Sequence, residues 1–339
     1  MAREQLKVIL SSAGRRVALM ECFRSALREL GERGSVVAVD AALSAPAGHA
    51  ADEFRLIPRC DEPGFGRALK EIAYQESAAL IVPTIDPELP VYASAADQLA
   101  ATVAISSVET IRLTRDKRLT QAWLTEQGLP GVRQTTPEEA LTNRTLWSGP
   151  LILKPACGSA SIGVRRIETK EDWRWIEQAP ADSVVEEEAQ GEEFTVHAYV
   201  NRRGRAMAAV PCRRLEVRAG EVSKGLTVRH AGWIETATAI AEALPGAWGP
   251  LNIQGFLDSA GVIRVTEINA RFGGGYPLVD RAGAPFCRWL LEETLGRELQ
   301  SRFDDWQADL AMLRYDAATF VPGRSIREAR FAENRGATG

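Results

Sequence analysis

Four short apolar runs set the first constraint on this chain: KVIL (Lys7–Leu10), SVVAV (Ser35–Val39), ALIV (Ala79–Val82) and TVAI (Thr102–Ile105). Each is too short for a helix and too continuous for a strand with one wet face, so each reads as a parallel strand covered on both sides. Parallel strands need crossovers. Between the first two runs Val17, Met20, Phe23, Leu27 and Leu30 recur at helical spacing, and Gly31 stands at the expected C-cap. The pattern predicts βαβ connections and one open parallel α/β sheet over residues 1–112.

With 339 residues the chain has room for two or three domains, because single cores stop growing before about 300 residues. A net charge of -4 supplies no global basic field, which argues against nucleic acid as a partner. No apolar run approaches the ~20 residues of a membrane span. The N-terminal MAREQLKVIL reaches polar Ser11 and Ser12 too soon for a signal-peptide core. Cys22, Cys60, Cys157, Cys212 and Cys287 are scattered and odd in number, which predicts free thiols and a reducing cytoplasm. With only His49, His197 and His230, any metal should be a hard ion bound through oxygen.

The turn SSAGRR after the first strand, with Asp40 ending the second, invites a dinucleotide-binding reading. The G-x-G-x-x-G pattern is missing, so that reading lacks its phosphate cradle. From Leu113 the pattern changes: a helix from Asp116 to about Gln127 leads into strands joined by turns (PLILKP with GVRRI; EFTVHAYV with AMAAVP). The expected boundaries are 113–186 and 187–339, both α+β, with a surface helix and tail at the end.

Three stretches carry chemistry. In PLILKPACGSASIGV, Lys154 precedes a small-residue loop (Gly158, Ser159, Ser161, Gly163) whose backbone could approach phosphates; the alternative is a plain hairpin. SVVEEEAQGEEF supplies Glu187, Glu188, Ala189 and Glu193, either as a solvated acidic loop or as contacts to a nucleotide's base and ribose. The third is the pair of strands expected at Leu251–Asp258 and Val262–Ala270, joined at Ser259-Ala260-Gly261. If Asp258 opposes Ile263, then Gln254 faces Glu267 and Asn252 faces Asn269, all on one side. Divalent Mg²⁺ would satisfy such a polar group, and Arg271 could balance phosphate charge; otherwise the face simply meets solvent.

Lys154 before a Gly/Ser hairpin, an acid-rich connector and Q-x(12)-E-x-N-x-R together resemble the ATP-grasp superfamily, most closely small single-grasp relatives of the carbamoyl-phosphate synthetase large chain. Asp116-Lys117 at the start of the helix is similar too. The resemblance covers roughly Lys7 to Gly296. It implies a pre-ATP-grasp α/β domain followed by a two-subdomain ATP-grasp fold. It also implies ATP with Mg²⁺ (or Mn²⁺), Lys117 and Lys154 on the phosphates, and the Gly158–Gly163 loop closing over them. Glu187, Glu188 and Ala189 would run along the adenine, with Glu193 on the ribose. Gln254, Glu267 and Asn269 would hold metal, and Arg271 and Lys224 would attend the transferred phosphoryl group. Where many members carry a carboxylate, this chain has the weaker ligand Gln254, which bears on a second metal, although the carbamoyl-phosphate synthetase branch itself tolerates glutamine there.

The implied activity is ligation: a small-molecule carboxylate activated as an acyl phosphate, with release of ADP, then joined to an amine by a monomer or homodimer. Alternatives are a carbamoyl- or carboxyphosphate-forming enzyme and a nucleotide-binding regulatory protein with vestigial catalysis. Arg15, Arg16, Asp86 and Glu88, or Arg213, Arg214, Glu216 and Arg218, are candidates for substrate selection.

Overall fold

A computed structural model describes residues 5–158, 162–218, 220–300 and 303–326. They form two compact units. The described residues up to Ile105, with Pro285–Gln300 and the stretch from Tyr315 on, form the first; Ser106–Ala284 and 303–314 form the second.

The first unit is built on β1 (Leu6–Ser11), β2 (Gly34–Asp40), β3 (Glu53–Leu56), β4 (Leu80–Pro83) and β5 (Thr102–Val103). All pair in parallel, in the order β3-β2-β1-β4-β5. Val8, Ile9, Leu10 and Val36 to Val39 have no exposure, as two covered faces require. The helix Val17–Glu29 buries Leu19, Met20, Phe23 and Leu27, and Gly31 turns the chain at a φ of 67°. Its neighbour within the unit is the helix Phe286–Thr294. Strand β3 has no counterpart in the sequence reading. It is an edge strand of half-exposed residues, so no apolar run marks it. Asp40 is not free for a ribose: its Oδ2 accepts from Gly14 N at 2.8 Å, tying the turn to the strand end.

The second unit holds two antiparallel sheets. One comprises β6 (Gln134–Thr135), β7 (Leu151–Pro155), β8 (Arg165–Ile167) and β9 (Ser183–Glu187), in the order β6-β9-β7-β8. Its core is Ala140, Leu151, Leu153, Ile167, Ile176 and Val185. The other comprises β10 (Glu192–Val200), β11 (Ala206–Arg218), β12 (Glu221–Thr227), β13 (Gly249–Leu257), β14 (Ile263–Asn269) and β15 (Ala311–Leu313), in the order β14-β13-β10-β11-β12-β15. The helix Val108–Arg115 spans Leu113, where the sequence pattern changes, and its Ser107 cap accepts from Thr110 N at 3.1 Å.

The β13–β14 hairpin corrects the expected register at its tip. Leu257, not Asp258, pairs with Ile263, and Asp258 Oδ1 instead accepts from the amides of Ala260 and Val262 at 2.9 and 2.8 Å. A bulge between Gln254 and Gly255 takes up the extra residue, Thr266. Beyond it Gln254 faces Glu267 and Asn252 faces Asn269, as the alternation predicted.

Candidate active site

Two lysines arrive at one place through backbone ties. Asp116 caps the helix Lys117–Glu126 by accepting from Arg118 N at 2.9 Å, while Lys117 N donates to Ala156 O at 2.9 Å. The helix start is thus pinned to the exit of β7, which carries Lys154. Lys117 Nζ donates to Gly158 O at 3.0 Å. Lys154 Nζ pairs with Glu186 Oε2 at 2.6 Å, and the two side chains are only 11% and 3% exposed. Gln134 Nε2 donates to the other oxygen of Glu186 at 2.7 Å. An ammonium has three donors, so this pair leaves Lys154 further capacity. Gly163 stands at a φ of 76° against Pro155. Ser159 and Ser161 lie outside the described residues.

At the end of β9, Glu187 and Glu188 both have cationic partners: Arg133 at 3.3 Å and Arg166 at 2.7 Å. Their amides donate to Arg133 O and Pro150 O, each at 3.1 Å. Gly191 then lets the chain pass against the Leu257 carbonyl, where a Cβ would collide.

The large sheet supplies a polar face in rows. Thr195, Gln254 and Glu267 form one row across β10, β13 and β14; His197, Asn252 and Asn269 form the next. Burial lowers the His197 pKa to about 3, with the Arg214 and Arg271 cations adding to it, so the ring is neutral. Asn252 Oδ1 and Asn269 Nδ2 are buried without partners on directly opposed residues, and Asn252 Nδ2 donates to Arg271 O. The glycines after Arg271 serve packing. A Cβ on Gly273 would strike Asn252 Oδ1, and one on Gly275 would meet Val222.

Two doublets, Glu192-Glu193 and Arg213-Arg214, lie on adjoining strands and pair on opposite faces. Arg213 meets Glu192 at 2.8 Å with both exposed, whereas Arg214, 8% exposed, meets Glu193 Oε1 at 2.7 Å. Burial raises the Glu193 pKa; the Arg214 cation opposes this and the neighbouring Glu267 carboxylate adds to it.

A cavity of about 390 Å³ gathers these groups. Lys117, Lys154, Gly158, Glu187, Glu188, Ala189, Glu193, Gln254, Glu267 and Arg271 all line it. Asn269 is buried behind the lining, and Gly163 is not part of it. Lys224 is also absent from the described lining; it pairs with Glu216 Oε2 at 2.6 Å, which together with Ser223 holds that carboxyl down at about 2. Sequence reasoning missed Glu186 and named Arg214 only as one of four candidates for substrate selection; both line the cavity. The signal for Arg214 was the matching acidic and basic doublets.

The donor set suits one hard cation. Glu267 faces the cavity with no hydrogen bond or ion pair among the described residues, and Asn269 Oδ1 has only a long contact of 3.5 Å from Arg271 Nη2. Among the described residues no cluster of three His, Cys, Asp or Glu could hold a metal unaided. A cation here would therefore need phosphate and water oxygens as well.

The fold is that of the ATP-grasp superfamily. More particularly, residues 180–316 match the family described as ATP-grasp in the biosynthetic pathway with Ter operon. Residues 8–105 match the PylC-like N-terminal domain. Among solved structures, the biotin carboxylase domain of Hydrogenobacter thermophilus 2-oxoglutarate carboxylase, a dimer with MgADP, ADP and bicarbonate, is similar at a TM-score of 0.74 and 17% identity, over 91% of this chain and 74% of that one. The L-amino acid ligase of Bacillus licheniformis gives 0.69 and 19%, over 90% and 77%. The N5-carboxyaminoimidazole synthetase of Staphylococcus aureus gives 0.72 and 16%, over 98% and 87%. At these identities the likeness is one of fold. No curated protein matches the chain.

Proposed function

We propose that the chain is an ATP-dependent, ADP-forming ligase that joins a carboxylate to an amine through an acyl phosphate. One observation carries the reading: two lysines, Arg271 and the unpartnered Glu267 line one cavity. Phosphoryl transfer asks a protein mainly for charge neutralisation and in-line positioning. Lys117 and Lys154 neutralise the polyphosphate as fixed ammonium charges. Glu267, backed by Asn269, would hold Mg²⁺ or Mn²⁺, which adds further neutralisation of the phosphates. Arg271 steadies the phosphoryl group as its bond to the ADP oxygen breaks and a bond to the substrate carboxylate forms. The amine then attacks the acyl carbon and phosphate leaves. The small-residue loop that includes Gly158 keeps water from the acyl phosphate. Glu187 to Ala189 run along the adenine. Glu193 reaches the ribose only through the oxygen that Arg214 leaves open, and Lys224 would have to leave Glu216 to attend the phosphoryl group.

Support comes from relatives named as a ligase and a synthetase, and from a carboxylase bound to MgADP. Bicarbonate in that carboxylase favours a second reading, in which the activated acid is bicarbonate and the product a carboxyphosphate-derived carboxylate. Among the described residues no helix is long and apolar enough to cross a membrane. A cytoplasmic monomer or homodimer acting on small molecules fits the reading.

The test is incubation with ATP and Mg²⁺, with pooled carboxylates and amines in one arm and bicarbonate in the other, read by mass spectrometry. ADP with a condensed product supports the ligase. AMP release would point to adenylate chemistry and sink the acyl phosphate, and failure to bind nucleotide would remove the reading altogether.

A further inference from the structure

We infer that Arg214 takes the place of a second metal ion, so that the site works with one divalent cation per chain. The inference rests on the nucleotide reading above. Its first support is what Gln254 already does. The carboxamide oxygen that would ligate a metal accepts from Arg214 Nη1 at 3.2 Å, and the same nitrogen donates to Glu193 Oε1 at 2.7 Å. A cation therefore already stands between Glu193 and Gln254, the residue directly opposite Glu267. A second divalent ion there would meet a fixed positive charge and a neutral, occupied amide. Gln254→Glu in a relative would change that balance; in this chain the amide and the arginine occur together.

The second support is unused donor capacity. Arg214 Nε is buried and has no partner, although the guanidinium lines the cavity and its Nη2 reaches only Gly220 O at 3.3 Å. A buried N–H without an acceptor is costly to leave unmade, and a phosphate oxygen would satisfy it. The guanidinium cannot lose its proton, so the charge is permanent. Glu193 and Gln254 hold its plane in position before any ligand arrives. Among the described residues Glu267 is the carboxylate on this face with neither oxygen engaged.

Mn²⁺ can be counted by electron paramagnetic resonance on the full chain with a non-hydrolysable ATP analogue, whose own binding is followed separately by calorimetry. One Mn²⁺ per chain is the expected result. Two per wild-type chain would overturn the inference while leaving the nucleotide reading intact, whereas no analogue binding would remove both. Arg214→Met should weaken analogue binding about 10- to 100-fold. Arg214→Met combined with Gln254→Glu should recover binding with two Mn²⁺ per chain. Arg214→Lys, which keeps the charge, should stay at one. A double variant that is folded by circular dichroism, binds the analogue and still holds one Mn²⁺ would also refute the exchange of roles.

Discussion

At the carboxyl ends of β1 and β4 the Glu88 carboxylate is fully buried and closed upon itself. It accepts from the amides of Thr84 and Ile85 at 2.6 and 3.2 Å, and from the hydroxyls of Ser11 and Ser12 at 2.7 and 2.8 Å. On the face of β10, β11, β13 and β14, Glu267 accepts from nothing among the described residues, and Arg214 Nε, Asn252 Oδ1 and Asn269 Nδ2 lack partners too. Both regions concentrate polar groups at strand ends, where sequence patterns nominate ligand sites. What separates them is the carboxylate, satisfied at Glu88 and open at Glu267. A buried polar group whose partners are all internal is a strut, and one left short is where a ligand completes the structure.

Neutralising the open carboxylate should have the largest effect. Glu267→Gln is expected to cut ADP formation on the order of 100-fold or more while leaving the melting temperature unchanged. Equal activity would place Glu267 among the struts. The intermediate case is the Lys154–Glu186 pair, open to ligand and internally closed at once. Lys154→Met strands a buried carboxylate and should cost about 3–5 kcal/mol in urea unfolding, most of it recovered by adding Glu186→Gln. A loss under about 1 kcal/mol would show that the pair is wet.

Gly273→Ala probes the packing beneath the open face. The new methyl meets both Asn252 and the His197 ring, so a loss of roughly 1–3 kcal/mol is expected by thermal unfolding, and an Asn252→Ala background should relieve only part of it. The smallest effect should come from Glu88→Gln. Burial raises the Glu88 pKa in the folded protein, so the native state holds its proton to higher pH than the unfolded chain. Stability from this group is therefore fully present below the unfolded value and declines as pH rises through the folded one. The glutamine variant should lack that decline, because its amide can serve the serines while its oxygen keeps the two backbone donors. Parallel stability–pH curves for the two proteins would show that Glu88 does not titrate in this range.

Much of this was legible because buried parallel strands advertise themselves as apolar runs, and strand alternation fixes which side chains share a face. KVIL and SVVAV fall wholly in strands, ALIV from Leu80 on and TVAI only over Thr102–Val103, and the opposition of Gln254 to Glu267 is real. The tip register was not legible, since one residue at a turn is settled by local hydrogen bonds to Asp258 rather than by pattern. Strand β3 was hidden by its mixed, half-exposed edge. Glu186 looked like one acid in a run of three, yet register alone turns it inward toward Lys154. Arg214 was one of four charges in CRRLEVR, and only its facing strand distinguishes it from Arg213.

The discontinuity of the first unit bears on the order in which the protein comes off the ribosome. Phe286, Cys287, Trp289, Leu290 and Leu291 are buried in a helix that lies against Val17–Glu29, yet some 180 residues of the second unit (106–284) are made between them. The earliest part of the chain to emerge must wait, with an apolar flank uncovered, until a much later segment arrives. The nucleotide-sized cavity, by contrast, draws all its lining from one uninterrupted stretch, 117–271, and can be assembled before that wait is over.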